Sequence, residues 1–163
     1  MSGTIKLFCD GSVNPQQKTG FGAYFILAEN KEESIESIKN RIQLKRFENT
    51  SSTKLELESL LWALEDENVR NKTIIIYTDC QNILGLKDRR EKLERNDYFS
   101  STGKIIKNHE LYKKFYMITD KLNCCFEKVK GHKKASLKDE IDKLFNIVDK
   151  ESRRALREYL NKN

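Results

Sequence analysis

Residues 73–79, TIIIYTD, are the most constraining stretch of the chain. Three isoleucines and a tyrosine in an unbroken row leave no polar face, so as a strand the segment belongs inside a sheet covered on both sides. Such a strand needs helices packed on the sheet faces, which places the chain in the α/β class. A second apolar run, IKLFCDGSVNP at 5–15, stops in the same way, at an acid followed by turn residues. Two buried strands that both end on an aspartate, Asp10 and Asp79, set the question of what those carboxylates do.

The apolar spacing around these runs outlines the rest of the domain. Residues 4–9, residues 20–28 (GFGAYFILA) and a segment near 34–47 that ends in the alternating IQLKRF read as three successive strands, joined by short turns as an antiparallel meander. TKLELESLLWALEDE at 53–67 changes period. Leu57, Leu60, Leu61 and Leu64 recur at i, i+3, i+4 and i+7, and Thr53 with Glu56 matches a capping box. After the strand at 73–79 come a charged helical stretch from Gln81 to about Glu94, a polar break NDYFSSTGK, and a helix carrying Leu111, Phe115, Ile118 and Leu122. CCFEKVK at 124–130 reads as a fifth strand. A last helix runs from about Leu137 toward Tyr159, with Ser136 and Asp139 as a second capping box. The expected order is β-β-β-α-β-α-α-β-α, a mixed five-stranded sheet with helices packed on it, in a single domain over 1–163.

Charge narrows the partner. Lys and Arg number 31 against 25 Asp and Glu, a formal net charge of +6, and the basic residues cluster in KDRREKLER at 87–95 and VKGHKK at 129–134. Such clusters suit a polyanion, whose neutralised phosphates release counterions; a merely solvated basic face is the alternative. No stretch is long and apolar enough to span a membrane, and MSGTIKLFCDG lacks a basic segment followed by an extended apolar one. A soluble, unprocessed, cytoplasmic protein with no membrane partner is expected. Cys9, Cys80, Cys124 and Cys125 form no C-x-x-C pair and are expected to be reduced. Cys9, Cys124 and Cys125 are read as core residues, and Cys9 should point away from the side used by Asp10. Trp62 is read as a packed residue rather than a base-stacking platform.

Asp10 and Asp79 each have an ordinary reading, an Asx-turn and a helix cap, and Glu56 has one as the partner of Thr53. Ligands of α/β sheets gather at strand ends, however, and two carboxylates side by side stay ionised together only with a cation between them. Oxygen ligands of this kind suit magnesium or manganese. Glu56 lies beside Leu60 and Ala63, at the edge of the buried helical stripe.

Four segments, taken in order, resemble ribonuclease H of type 1, the family that cuts the RNA strand of an RNA/DNA hybrid. They are FCDGSVNP, STKLELESLLWAL, IYTDCQNIL, and VKGHKK followed by a helix containing VDKESRRAL, spanning about Ile5 to Leu156. The resemblance implies a ribonuclease H-like fold and a pair of Mg²⁺ ions, with Mn²⁺ as an alternative, held by Asp10, Glu56, Asp79 and one aspartate of the last helix. It further implies hydrolysis by in-line displacement, with one ion activating water and the other stabilising the leaving 3′ oxygen. The products would carry 5′-phosphate and 3′-hydroxyl ends. His132 matches the family histidine that assists proton transfer or product departure.

The fourth acid departs from the family pattern. Asp142 has the common spacing from His132, whereas Asp149 has Val148 before it and Arg153 four residues after, the local look of the motif. Seven residues along a helix separate them by roughly 10 Å, too far to share one ion pair. Asp149 is taken as the ligand and the residues after His132 as an extension. For substrate contact the resemblance points to Asn14, Ser51, Ser52 and Thr53, with Gln81 and Asn82 as further candidates, and to residues 87–95 as a grip on the DNA strand. A monomer is expected. Rival readings are a nuclease of the same fold for another substrate, such as branched DNA, and a non-catalytic basic nucleic-acid-binding module.

Overall fold

The computed structural model describes residues 3–29, 31, 33–129 and 139–162. Five strands, β1 (Thr4–Asn14), β2 (Thr19–Ala28), β3 (Gln43–Glu48), β4 (Thr73–Thr78) and β5 (Asn123–Lys128), form one sheet in the order β3-β2-β1-β4-β5. β2 pairs antiparallel with β1 and with β3, whereas β4 runs parallel to both β1 and β5. The mixed five-stranded sheet expected from the sequence is the one observed. The β1–β4 ladder ends where Phe8 lies beside Tyr77; β4 stops at Thr78, but β1 continues through Asp10 to Asn14 in its pairing with β2, so Asp10 lies within the first strand and not at its end as the sequence reading had it.

The helices are α1 (Ile35–Arg41), α2 (Ser52–Ala63), α3 (Gln81–Leu84), α4 (Leu86–Arg95), α5 (His109–Asp120) and α6 (Glu140–Lys162). Two of them correct the expected order. The meander is interrupted by α1, which the sequence reading took as strand; Ser34 caps it by accepting the Ser37 N–H at 3.1 Å, and it buries only Ile38. One buried residue in seven leaves no helical period to read. The single helix expected from Gln81 is two pieces, α3 and α4, meeting at Gly85.

Each sheet face has its own core. On one, Leu7, Cys9, Ile74 and Ile76 pack against Leu57, Leu60 and Leu61 of α2 and Tyr112, Phe115 and Tyr116 of α5. On the other, Phe8, Ala23 and Phe25 meet Ile38 of α1 and Leu144, Phe145 and Val148 of α6. Burial of β4 is complete only toward α2. Ile74 and Ile76 are fully covered, but Ile75 and Tyr77 are half-covered, because α6 packs across β1 and β2 and leaves β4 at its margin. Tyr77 compensates by stacking on Phe8, with ring centroids 5.0 Å apart. Cys9 is in the core, as expected, and Cys124 is half-buried, but Cys125 points out of the edge strand β5 and is exposed. Trp62 is a half-buried packing residue, edge-on to Tyr24 at 4.7 Å and to Phe47 at 6.2 Å. Among the described residues, no helix is long and apolar enough to cross a membrane.

Candidate active site

Three acids meet where the β1–β4 ladder ends. Two residues beyond its last pair, Phe8 with Tyr77, come Asp10, still within β1, and Asp79, just after β4. Glu56 comes from the second turn of α2. The carboxylate oxygens of Asp10, Glu56 and Asp79 lie within 4.8 Å of one another. Gly11 lets α2 come close: a Cβ there would stand 3.1 Å from the Leu55 side chain. Its backbone N–H donates to the Glu56 carboxylate. The capping box read from Thr53 and Glu56 does not form as expected, because α2 begins two residues before the expected start, with Ser51 at its cap, and Glu56 is turned toward Gly11 and Asp10 instead.

Electrostatics mark the cluster as incomplete without a counter-charge. Asp10 is buried, and its carboxyl is pushed well above the usual range, first by burial and then by the charges of Glu56 and Asp79. Burial and the Asp79 charge push Glu56 up as well, against the opposing hydrogen bonds from Asp10 and Gly11. Asp10, with Glu56 and Asp149 within hydrogen-bonding reach, and Glu56 itself thus hold a proton more tightly than free carboxyls do. A divalent ion among these oxygens would replace that proton and remove the repulsion. The donor set, all carboxylate oxygen, fits a hard cation such as Mg²⁺ or Mn²⁺.

The two aspartates of α6 have different surroundings. Asp142 is engaged at the start of the helix: its carboxylate accepts the Asp139 N–H at 3.3 Å while Asp139 accepts the Asp142 N–H at 2.9 Å, a reciprocal cap. Asp149, two turns on, sits against Asp10, and Arg153 Nε donates to its Oδ1 at 3.1 Å. The structure therefore brings Asp10, Glu56, Asp79 and Asp149 together and gives Asp142 a helix-capping bond. His132 and Ser136 lie outside the described residues.

The residues read as substrate contacts lie around this edge. Asn14 is at the end of β1, where its Oδ1 accepts the N–H groups of Gln16 and Gln17, both at 3.0 Å, and so fixes the hairpin turn. Ser51 is partly buried at the cap of α2, and Ser52 and Thr53 are exposed in its first turn. The Lys18 carbonyl accepts the Thr50 N–H at 3.0 Å, tying the hairpin turn of Asn14 to the segment that leads into α2. Gln81 is exposed just after Asp79, but Asn82 is occupied internally. Arg89 donates to Asn82 Oδ1 at 2.6 Å and to its carbonyl at 3.0 Å, and Asn82 Nδ2 donates to the Tyr112 hydroxyl at 3.3 Å. Asn82 thus anchors an arginine rather than offering its amide. Sequence reasoning missed this link, because Arg89 and Tyr112 are 7 and 30 residues away and share no motif with it. Beyond Arg89, a cleft of about 530 Å³ runs between α4 and the following turn, lined by Arg89, Lys92, Asn96, Phe99 and Ser100.

Comparison with known proteins agrees with this geometry. The RNase H family matches the chain over residues 2–147. A ribonuclease H of Caldicellulosiruptor saccharolyticus is 29% identical over 113 residues, 68% of this chain and 77% of that protein. The solution structure of the PFV RNase H domain superposes with a TM-score of 0.69 at 11% identity, covering 94% of this chain and 93% of the other. LC9-RNase H1, described as a type 1 RNase H with the type 2 active-site motif, gives 0.61 at 14% identity over 81% and 65% of the two chains. The family match stops two residues short of Asp149, so the case for that aspartate rests on its place against Asp10. With the fold, the acidic edge and a family match over most of its length, the chain belongs to the RNase H family of nucleases.

Proposed function

We propose that the protein hydrolyses the RNA strand of RNA/DNA hybrids at the acidic edge of the sheet, with Asp10, Glu56, Asp79 and Asp149 holding two divalent ions. The observation that carries this reading is the convergence of three carboxylates within 4.8 Å where the parallel β1–β4 ladder ends, in a protein of net charge +6. Bound there, Mg²⁺ or Mn²⁺ would supply Lewis-acid charge at the attacking and leaving oxygens, with 5′-phosphate and 3′-hydroxyl ends as the outcome.

The chain's own residues do the rest. Four carboxylates by themselves would repel a phosphodiester, so their first role is to collect cations. Gly11 N–H holds the Glu56 carboxylate in place, and Arg153 holds Asp149, so two of the four acids are fixed before any ion arrives. The Asn14 amide and the hydroxyls of Ser51, Ser52 and Thr53 flank the edge as partners for ribose hydroxyls and phosphate, the groups that separate RNA from DNA. Gln81 is a further contact. Arg89, aimed by Asn82, and the basic face of α4 would take the DNA strand. His132 is proposed to move a proton at product departure. The protein is taken to act as a monomer in the cytoplasm.

The test offers the purified protein labelled RNA/DNA hybrid, double-stranded RNA, double-stranded DNA and a four-way DNA junction, with Mg²⁺ or with chelator. Cleavage of the hybrid alone, and only with Mg²⁺, is expected. Preference for the junction would favour the branched-DNA reading, and tight binding without any cleavage would favour the non-catalytic module. In the same assay Asp149→Asn should abolish cleavage. Asp142→Asn should keep it and change stability by no more than about 1 kcal/mol, since the amide oxygen can still accept the Asp139 N–H.

A further inference from the structure

The last helix continues for more than three turns beyond Asp149, and charge is sorted around that extension. At about 100° per residue, Asp149, Arg153, Arg157 and Lys150 fall in order across roughly a quarter of the helix circumference. Their flank borders the buried stripe of Val148, Ser152, Ala155 and Leu156 on one side. Lys150, Arg153 and Arg157 are all exposed. The acids of this segment, Glu151 and Glu158, stand on the opposite flank, where Arg154 pairs with both, at 3.0 and 2.9 Å. One flank thus has its arginine paired internally with two acids, and the other is left cationic except for Asp149 itself.

Packing fixes where the cationic flank points. α6 lies along β1 and β2, and Tyr159 near its end meets Phe21 of β2, with ring centroids 5.9 Å apart, and carries the Arg46 guanidinium 4.5 Å from its ring. Phe21 pairs with Ser12, two residues beyond Asp10 along β1. The helix thus runs past the acidic edge and continues beside the β1–β2 hairpin, with Arg153 and Arg157 about 6 and 12 Å beyond Asp149 along its axis. α4, the other basic element, packs through Leu86 and Leu93 on the sheet face opposite the one that α6 covers.

We infer that the Lys150, Arg153 and Arg157 flank of α6 is a rail for the phosphates of the strand being cut, adjacent to the scissile one, with Arg157 its outer contact. This deepens the proposed function and rests on it. A nucleic acid laid across the acidic edge is then held from both sides, by α4 on one flank and by α6 on the other. Arg153 has a double duty, since it also holds Asp149. Arg157 and Lys150 are the cleaner reporters.

Arg157→Gln, Lys150→Gln and Arg154→Gln are compared with the unaltered protein in two measurements: steady-state cleavage of a labelled RNA/DNA hybrid with Mg²⁺, and binding of the same hybrid in chelator across a salt series. Arg157→Gln is expected to raise KM about 3- to 10-fold at unchanged kcat, and to lower the slope of log affinity against log salt by about one, the signature of one lost phosphate contact. Lys150→Gln should act in the same direction, Arg157→Lys should restore the slope, and Arg154→Gln should leave KM and slope alone. If Arg157→Gln keeps the KM and slope of the unaltered protein, or if Arg154→Gln changes them equally, the rail is overturned while the function stands. If the unaltered protein neither binds nor cleaves the hybrid, it is the proposed function that fails.

Discussion

Asp79→Asn should reduce hybrid cleavage by at least about a thousandfold, roughly 4 kcal/mol of barrier, while the protein stays folded. The substitution keeps shape and removes one charge from a group whose purpose is charge. Asp79 is the exposed member of the triad, and asparagine keeps its size and shape, so the fold is expected to survive the change. Single-turnover cleavage with Mg²⁺ in excess is the measurement, with circular dichroism to check the fold. Residual activity within tenfold of the unaltered protein would mean that the three-acid cluster is not the reacting centre.

The second large effect is on stability and has the opposite sign. Asp10 and Glu56 both bind protons more tightly in the folded metal-free protein than in the unfolded chain. Across the interval in which the folded state holds a proton that the unfolded state has released, raising the pH therefore favours unfolding. That interval opens near the ordinary carboxylate value of about 4 and extends upward to about 8 for Glu56. In chelator, the melting temperature should fall from pH 5 to pH 8. Asp10→Asn should raise it at pH 8 by roughly 3 °C or more, the shift that about 1 kcal/mol produces in a chain of this length. Saturating Mg²⁺ should reverse the ranking, because only the unaltered protein gains the full binding energy of the ion. A melting temperature that is flat across this range, or lowered by Asp10→Asn in chelator, would show that the acids do not strain the empty site.

Much of this was legible in the sequence where a local pattern and its tertiary role agree. The runs IKLFCD and TIIIYTD are strands because they are apolar; the second stops just before its acid, whereas the first continues through Asp10 to Asn14, because pairing with β2 carries the polar residues on in the sheet. The Leu57, Leu60 and Leu61 spacing gave α2 and its buried face for the same reason. Legibility failed where one residue served two patterns. Glu56 sits three residues after Thr53 and so imitates a capping partner, yet the competing pull of Gly11 N–H and the neighbouring acids takes it away from the helix start. α1 was missed because a helix that buries one side chain has no period, and the bonds of Asn82 to Arg89 and Tyr112 could not be read because those partners lie on other elements. For the fourth acid, spacing from His132 and local motif pointed to different residues. Only the tertiary arrangement distinguishes an aspartate that caps α6 from one that lies against Asp10.

The parallel pairing of β1 with β4 has a consequence for how such a site persists through sequence change. Up to the Phe8–Tyr77 pair the two strands are held at a spacing set by peptide hydrogen bonds rather than by the side chains beneath them, and Asp10 and Asp79 each follow two residues beyond that pair. The backbone that carries the two acids is thus anchored by the ladder, and repacking the core on either sheet face should move it little. Chains only 11–14% identical to this one keep the fold. A ruler made of peptide groups is one that mutation of side chains cannot easily recalibrate.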